Sequence, residues 1–387
     1  MITMNILILN YEYPPLGGGA GVATEALVKE FAKFDNLAID IITSSTDTFR
    51  SESVTPNVTV HFLDVGKKNK GHLYQSEKDL LLYSVKAFFY IRKIKAKRKY
   101  GLIHAFFTVP CGFLAFVSGI PYIISLRGSD VPFHNPRFKI MDKFIFSWLS
   151  KLIWKKAEAV ISNSQALLDE AKRVSPDLDI GLIPNGVNTE LFRPEPFINK
   201  DEFIVRFLYT GRLAEVKGVT YLIDAFALAA KEAGAKRTEL WIAGDGKLKE
   251  ELKRKTNDLG ISERVRFLDR VERDKMPALF RACDCFVLPS LSEGMPLALM
   301  EAMSSGMPVI CSDIPSLREF VADGKNGFLV GKEDPKALSL ALLFYIKGGR
   351  EVIEEHGADS RDRAFFFDWK ISAERYIEVY KFIEKMT

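Results

Sequence analysis

Short apolar strands alternate with helical stretches along the whole chain, and they do so in two successive series. In the first series, strands are predicted at 5–10, 39–43, 58–62, 102–105, 122–125 and 159–162. Helices are predicted over 20–34 and about 78–97, with others in the remaining gaps. The second series predicts strands at 206–210, 240–243, 265–268, 285–288, 309–311 and 328–330, with helices such as 218–231 and 246–258 between them. Alternation of this kind forces a parallel sheet with helices on both faces, because each crossover must return the chain to the same end of the sheet. The series break near Pro184-Asn185-Gly186-Val187-Asn188, ahead of Pro194 and Pro196. The reading is an α/β protein of two doubly wound, Rossmann-like domains facing a central cleft. The first spans 1–187 and the second 188–367, and about 368 to 387 is a closing helix candidate.

Length and composition agree with this. A chain of 387 residues is too long for one ordinary core. Its 47% hydrophobic and 27% charged residues are those of a globular protein, and no apolar run reaches the roughly 18 residues needed to span a bilayer. The opening strand is followed by Pro and Gly and does not read as a signal peptide. Cys111, Cys283, Cys285 and Cys311 fit no usual zinc spacing and read as buried thiols in a reducing cytoplasm. Charge is uneven. Residues 1–187 hold 23 Lys and Arg against 17 Asp and Glu, whereas the overall balance is +4. The excess concentrates in Arg92 to Lys99, just after the apolar run Ala87 to Ile91. One helix carrying both suits an anionic membrane surface, and the same residues also describe a solvated face on a core-packed helix.

Several strand ends carry candidate chemistry. The run Ser292-Glu293-Gly294-Met295-Pro296-Leu297 follows a strand and opens a helix that carries Glu301. A loop acid and a helix acid at this spacing can hold two parts of one elongated polar ligand at the carboxyl end of a sheet. In Gly211-Arg212-Leu213-Ala214-Glu215-Val216-Lys217-Gly218, Arg212 and Lys217 can converge on a diphosphate, the first as a planar fork and the second as a point charge. Gly17-Gly18-Gly19 follow Pro14-Pro15 and precede a helix, a place where backbone approaches an anion, although a tight turn explains some of the glycines. Gly244-Asp245-Gly246 reads equally as a tight turn or as part of a site. In Ser125-Leu126-Arg127-Gly128-Ser129-Asp130, Arg127 can hold an anionic group. His104, ending the preceding strand, is a candidate acid, base or hydrogen-bonding group. There is no H-E-x-x-H, Asp-x-Asp run or cysteine cage for a metal, and no G-x-S-x-G nucleophile.

Taken in order, these motifs resemble the retaining glycosyltransferases of GT-B fold, specifically glycosyltransferase family 4 (group 1). The resemblance covers nearly the whole chain, and its most specific element is the E-x7-E pair Glu293 and Glu301. It implies a nucleotide-diphosphate-sugar donor on the C-terminal domain and transfer to an acceptor hydroxyl on a glycan, a lipid-linked acceptor or a small molecule. Arg212 and Lys217 would neutralise the diphosphate. Glu293 would contact the sugar beside Gly294, Met295, Pro296 and Leu297, and Glu301 would hold the ribose. The base would meet backbone near Val271, and Gly18 and Gly19 would approach the phosphates. His104, Arg127 and Asp130 are then acceptor-side candidates. Many relatives have His where Arg127 stands, and a guanidinium cannot accept a hydrogen bond. No cofactor, metal or nucleic acid is implied. The location is cytoplasmic, in keeping with cell-envelope glycan synthesis, and peripheral contact with the inner face of the membrane stays open. A nucleotide-sugar epimerase of the same fold and a non-catalytic binder are the competing readings.

Overall fold

The computed structural model describes residues 4–66, 75–128, 130–132, 146–195, 204–234 and 237–386. Ser129 of the Arg127 turn and Pro196 of the domain boundary therefore lie outside the described residues. The chain divides into two compact units, Met1–Asn185 with Trp369–Thr387, and Gly186–Asp368.

In the first unit the described strands form one sheet in the order β3-β4-β2-β1-β5-β6-β7-β8. These are β1 Met4–Leu9, β2 Leu37–Ser45, β3 Arg50–Thr55, β4 Val58–Asp64, β5 Leu102–Phe106, β6 Tyr122–Leu126, β7 Ala159–Ser162 and β8 Ile180–Leu182. All neighbours pair in parallel except β3, which runs antiparallel to β4 at the edge. β5 and β6 are buried along their full length, as parallel strands covered on both faces must be. The sequence-based strands omit β3. Its side chains Arg50-Ser51-Glu52-Ser53 leave no apolar alternation, because an edge strand exposed to water needs none. Helix α1, Gly19–Phe31, buries Ala23, Leu27 and Phe31, spaced one turn apart on a single face. Helix α2, Glu77–Lys95, begins with a capping box between Ser76 and Asp79, which satisfies two of its orphan backbone donors. The last helix, Trp369–Met386, belongs to this unit and packs against α1 through Phe31, Tyr376 and Tyr380.

The second unit holds a fully parallel sheet in the order β11-β10-β9-β12-β13-β14 among its described strands. They are β9 Ile204–Thr210, β10 Arg237–Ala243, β11 Val265–Phe267, β12 Cys285–Leu288, β13 Val309–Ser312 and β14 Gly327–Val330. Renumbered from one, this is the 3-2-1-4-5-6 order of the Rossmann fold. The order reverses between β9 and β12, which pair directly. Loops leaving the carboxyl ends of these two strands diverge from a shared crevice, the place where such sheets bind ligands. All four cysteines are buried and free.

Candidate active site

Two loops meet at that reversal point. The first leaves β9 as Gly211 and passes through Arg212 to a single turn at Glu215–Lys217, and it enters the helix Val219–Ala233 through Gly218. The second leaves β12 as Pro289-Ser290 and runs to Pro296, which caps the helix Leu297–Ser304. Backbone clamps them, with Leu291 N–H donating to Val216 C=O at 2.8 Å. Gly218 has a φ of 64°, and a Cβ there would stand 2.0 Å from the Pro289 carbonyl oxygen. Only glycine satisfies both demands.

The clamp brings Lys217 onto Glu293. Lys217 Nζ lies 2.6 Å from Glu293 Oε1, with the two side chains 18% and 8% exposed. Ser290 Oγ donates to the same oxygen at 2.6 Å. Both bonds fall on Oε1, so Oε2 keeps its capacity to accept from a hydroxyl. Arg212 is exposed in the same loop, and its carbonyl accepts from Tyr209 OH at 2.9 Å. The Glu293 charge and burial push the Tyr209 hydroxyl pKa up, burial being the larger cause.

Gly244-Asp245-Gly246 stacks edge-on against the first loop. Gly211 N–H donates to Ala243 C=O and Leu213 N–H to Asp245 C=O, at 3.0 and 2.9 Å. A Cβ on Gly244 would stand 1.8 Å from the Gly211 oxygen, so these glycines serve close backbone approach. Between the turn's two readings, packing accounts for its glycines.

Glu301 lies one helical turn into Leu297–Ser304, its side chain only 4% exposed. Arg273 Nη2 reaches its Oε1 at 2.5 Å, while the Arg273 side chain is 49% exposed and its guanidinium lies 5.3 Å from the Phe192 ring centroid. Sequence reasoning missed Arg273. It sits in the charged run Arg270-Val271-Glu272-Arg273-Asp274-Lys275, which reads as a solvated surface. Val271 itself is half-buried against the core of this unit. Met295 is buried, and Gly294, Pro296 and Leu297 are half-buried around the start of the helix.

The first unit treats its candidates differently. Gly18 caps α1, and its N–H donates to Glu12 Oε2 at 3.3 Å. A Cβ on Gly17 would crowd Glu12 at 2.7 Å, whereas on Gly18 or Gly19 it would meet nothing within 4 Å among the described residues. Only the first of the three glycines is demanded by its own surroundings.

His104 is fully buried. Its Nδ1 hydrogen-bonds Tyr380 OH at 2.6 Å and its Nε2 hydrogen-bonds Ser125 Oγ at 2.7 Å. Ser125 Oγ also meets Tyr376 OH at 2.8 Å. Burial, and secondarily the nearby Arg127 charge, hold the imidazole pKa well below its ordinary value. Both nitrogens of His104 are thus engaged by hydroxyl groups inside the fold. Asp130 accepts from the backbone N–H groups of Thr108, Arg127 and Gly128 at 2.9–3.0 Å, and from Thr108 Oγ1 at 3.2 Å. It ties the turn together, and burial pushes its pKa up despite these bonds. Arg127 stacks its guanidinium 4.6 Å from the Phe106 centroid and donates from Nη1 to Asn185, while its buried Nε has no hydrogen-bond partner among the described residues.

Two loops at the reversal of a 3-2-1-4-5-6 sheet carry Arg212, Lys217 and Glu293, Glu301 stands in the helix that follows, and a second unit has its own largely parallel sheet. This two-unit architecture is that of the GT-B glycosyltransferases. Residues 17–191 match the glycosyltransferase family 4 model, and residues 188–359 match that of the glycosyl transferases group 1. The chain belongs to this family. It is 27% identical over 380 residues to an uncharacterized glycosyltransferase of Methanocaldococcus jannaschii, covering 96% of each chain. It is 29% identical to the UDP-Gal:alpha-D-GlcNAc-diphosphoundecaprenol alpha-1,3-galactosyltransferase of Escherichia coli, over 68% of this chain and 70% of that one. Among solved structures, the fold is similar to that of sucrose-phosphate synthase from Thermosynechococcus elongatus, with a TM-score of 0.82 at 22% identity over 99% and 100% of the chains. It is also similar to that of Anabaena HepE in complex with UDP, with a TM-score of 0.72 at 20% identity over 98% and 100%.

Proposed function

We propose that the protein transfers a hexose from a nucleotide-diphosphate-sugar to an acceptor hydroxyl with retention of anomeric configuration and without a metal ion. The observation that carries this reading is the Lys217–Glu293 pair at the reversal point, with Arg212 in the same loop. As the sugar–phosphate bond breaks, negative charge grows on the leaving diphosphate. Lys217 and Arg212 stabilise that charge, the kind of electrostatic contribution that is often the largest in catalysis. The departing phosphate oxygen takes the acceptor's proton, and the acceptor oxygen bonds to the anomeric carbon on the same face. Glu293 orients the sugar through Oε2, and Glu301 accepts from the ribose hydroxyls. The Gly19 start of α1 points the amino end of a helix at an anion, while the Gly18 N–H is held by Glu12. Arg127 replaces an imidazole in its turn and favours an anionic acceptor group.

UDP is the proposed nucleotide, since the Escherichia coli relative is named for a UDP-sugar and the Anabaena neighbour holds UDP. A lipid-linked acceptor is favoured, because that relative acts on a diphosphoundecaprenol-linked sugar. The first unit offers a matching surface. Leu81, Val85 and Phe89 lie along one face of α2 and are 67%, 47% and 65% exposed, with exposed Arg92 and Lys95 following them. An apolar stripe ending in cations suits the interface of an anionic bilayer. Among the described residues no helix is long and apolar enough to cross a membrane. We propose a cytoplasmic location with peripheral membrane contact, supported by this stripe and the lipid-linked acceptor of the relative.

A thermal-shift panel of nucleotide-sugars tests the donor, since the true one raises Tm by linkage. Proton NMR of the product then reads the anomeric configuration, and inversion would overturn the retaining mechanism. Undiminished turnover in EDTA is expected. Loss that Mg²⁺ or Mn²⁺ restores would overturn metal independence.

A further inference from the structure

The first unit carries a second constellation, away from the loops that leave the carboxyl ends of its strands. Helix α2 joins two parallel strands, β4 and β5, so it runs back against them and ends toward their amino ends. A cavity of about 370 Å³ opens beside its last turn, lined by Phe49, Ser51, His61, Tyr90, Lys93 and Lys97 above a floor that includes Asp40.

The floor is self-contained. Asp40 accepts from His61 Nε2 at 3.1 Å, from Arg98 Nη1 at 2.8 Å and from Tyr100 OH at 2.7 Å. Burial would raise its pKa, but the His61 and Tyr100 bonds and the Arg98 charge outweigh burial and hold it below the ordinary carboxylate value. Its negative charge is thus met by Arg98. With Nε2–H given to Asp40, His61 Nδ1 is an acceptor, and it faces two hydroxyls, Ser51 Oγ at 2.8 Å and Tyr90 OH at 3.1 Å. Ser51 and Tyr90 also hydrogen-bond each other, so this cluster lines the cavity wall beneath the lysines.

The rim is cationic and aromatic. Lys93 and Lys97 are exposed, one turn apart, and among the described residues neither has a carboxylate within 4.0 Å. Lys93 Nζ lies 6.0 Å from the Tyr90 centroid, and Phe49 leans on Tyr90 at 5.5 Å while 52% exposed. Two point charges with no carboxylate within reach among the described residues, beside a half-exposed ring, match a doubly charged tetrahedral anion on a compact carbon skeleton. A single carboxylate would be better served by one planar arginine fork. The volume is that of a small-ligand site.

We propose that this cavity is a second ligand site, binding a phosphate monoester between Lys93 and Lys97 with its carbon skeleton against Phe49. It lies outside the reacting groups assigned above, so its ligand is neither the donor diphosphate nor the attacked hydroxyl. The phosphate comes either from a soluble sugar phosphate or from a lipid headgroup.

The chain has five histidines, so His61 ring signals can be followed individually by NMR on the full-length protein. Inorganic phosphate and glucose 6-phosphate should each shift the His61 signals saturably while leaving buried His104 and His356 in place. Lys93→Gln/Lys97→Gln should weaken both about tenfold or more without altering donor turnover. Phe49→Ala should weaken glucose 6-phosphate and spare inorganic phosphate. Binding of phosphatidic acid vesicles but of neither soluble probe, lost in the double lysine variant, assigns the same site to a lipid headgroup. No His61 shift with any of the three, or equal affinity in the double variant, overturns the proposal.

Discussion

The polar groups at the strand ends of the two units are held in opposite ways. In the first unit, His104, Ser125, Tyr376 and Tyr380 form a closed and buried set in which each ring or hydroxyl answers another. In the second unit, the charged groups pair so that one partner stays open. Arg273 is half exposed over a buried Glu301, and Glu293 is held through only one of its oxygens. The difference separates groups that specify the structure from groups able to exchange partners with a ligand. Residue type does not predict it, since the histidine is closed and the arginine at 273 is half exposed. A buried network gains stability because all its members are satisfied, and the largely buried Lys217–Glu293 pair is costly to break, whereas Arg273, half exposed, rearranges more readily.

The strongest way to break this comparison is Lys217→Ala. It should lower kcat/KM by roughly 10²–10³, the range for losing one preorganised electrostatic donor, and Arg212→Ala should fall in the same range. Glu293→Gln should act mainly on kcat. Near-wild-type turnover in both cation variants, with circular dichroism unchanged, would move the chemistry away from these loops. Next in size is Glu301→Gln, which should weaken nucleoside diphosphate binding by roughly 10–100-fold in calorimetry, because a hydrogen bond to a charged group is worth about 1.5–3 kcal/mol. Arg273→Ala should weaken the same binding several-fold by releasing the carboxylate it orients. Tighter binding in that variant would make Arg273 a competitor of the ribose.

His104→Gln should have the smallest effect on turnover and a visible effect on the pH dependence of stability. The folded state holds His104 neutral well below its ordinary pKa. Below about pH 6.5 the unfolded chain therefore binds a proton that the folded chain does not. Stability falls as pH falls through that value, by up to about 1.4 kcal/mol per pH unit for one such group. Urea titrations at pH 7.5 and 5.5 should show a larger loss in the wild type than in His104→Gln. Equal losses would mean that the closed network is open to water.

What was legible in the sequence follows the same division. The parallel strands announced themselves because burial on both faces demands continuous apolar runs such as Cys285-Phe286-Val287-Leu288. Lys217 and Glu293 were legible because loop glycines and strand ends flank them. Arg273 was not, since a surface charge and a charge that reaches back to a buried acid look alike in one dimension. The surroundings of His104 were hidden for a longer-range reason, because its partner Tyr380, and the Tyr376 that bonds its other partner Ser125, are distant in sequence. The edge strand β3 was hidden because its polar side chains leave no period to read.

The chain leaves the first unit after Asn185 and returns at Trp369, so the second unit is an insertion within the first. The two passages lie side by side, Val187 N–H donating to Phe367 C=O at 2.7 Å. Order of synthesis and order of completion therefore differ. Domains usually mature from the amino terminus as the ribosome advances. Here the whole of Gly186–Asp368 emerges before the earlier unit acquires its final helix. His104 gains Tyr380 as a partner only 276 residues after its own translation. Until then the face of the imidazole that Tyr376 and Tyr380 cover lacks that cover, and the first domain to be made is the last to be finished.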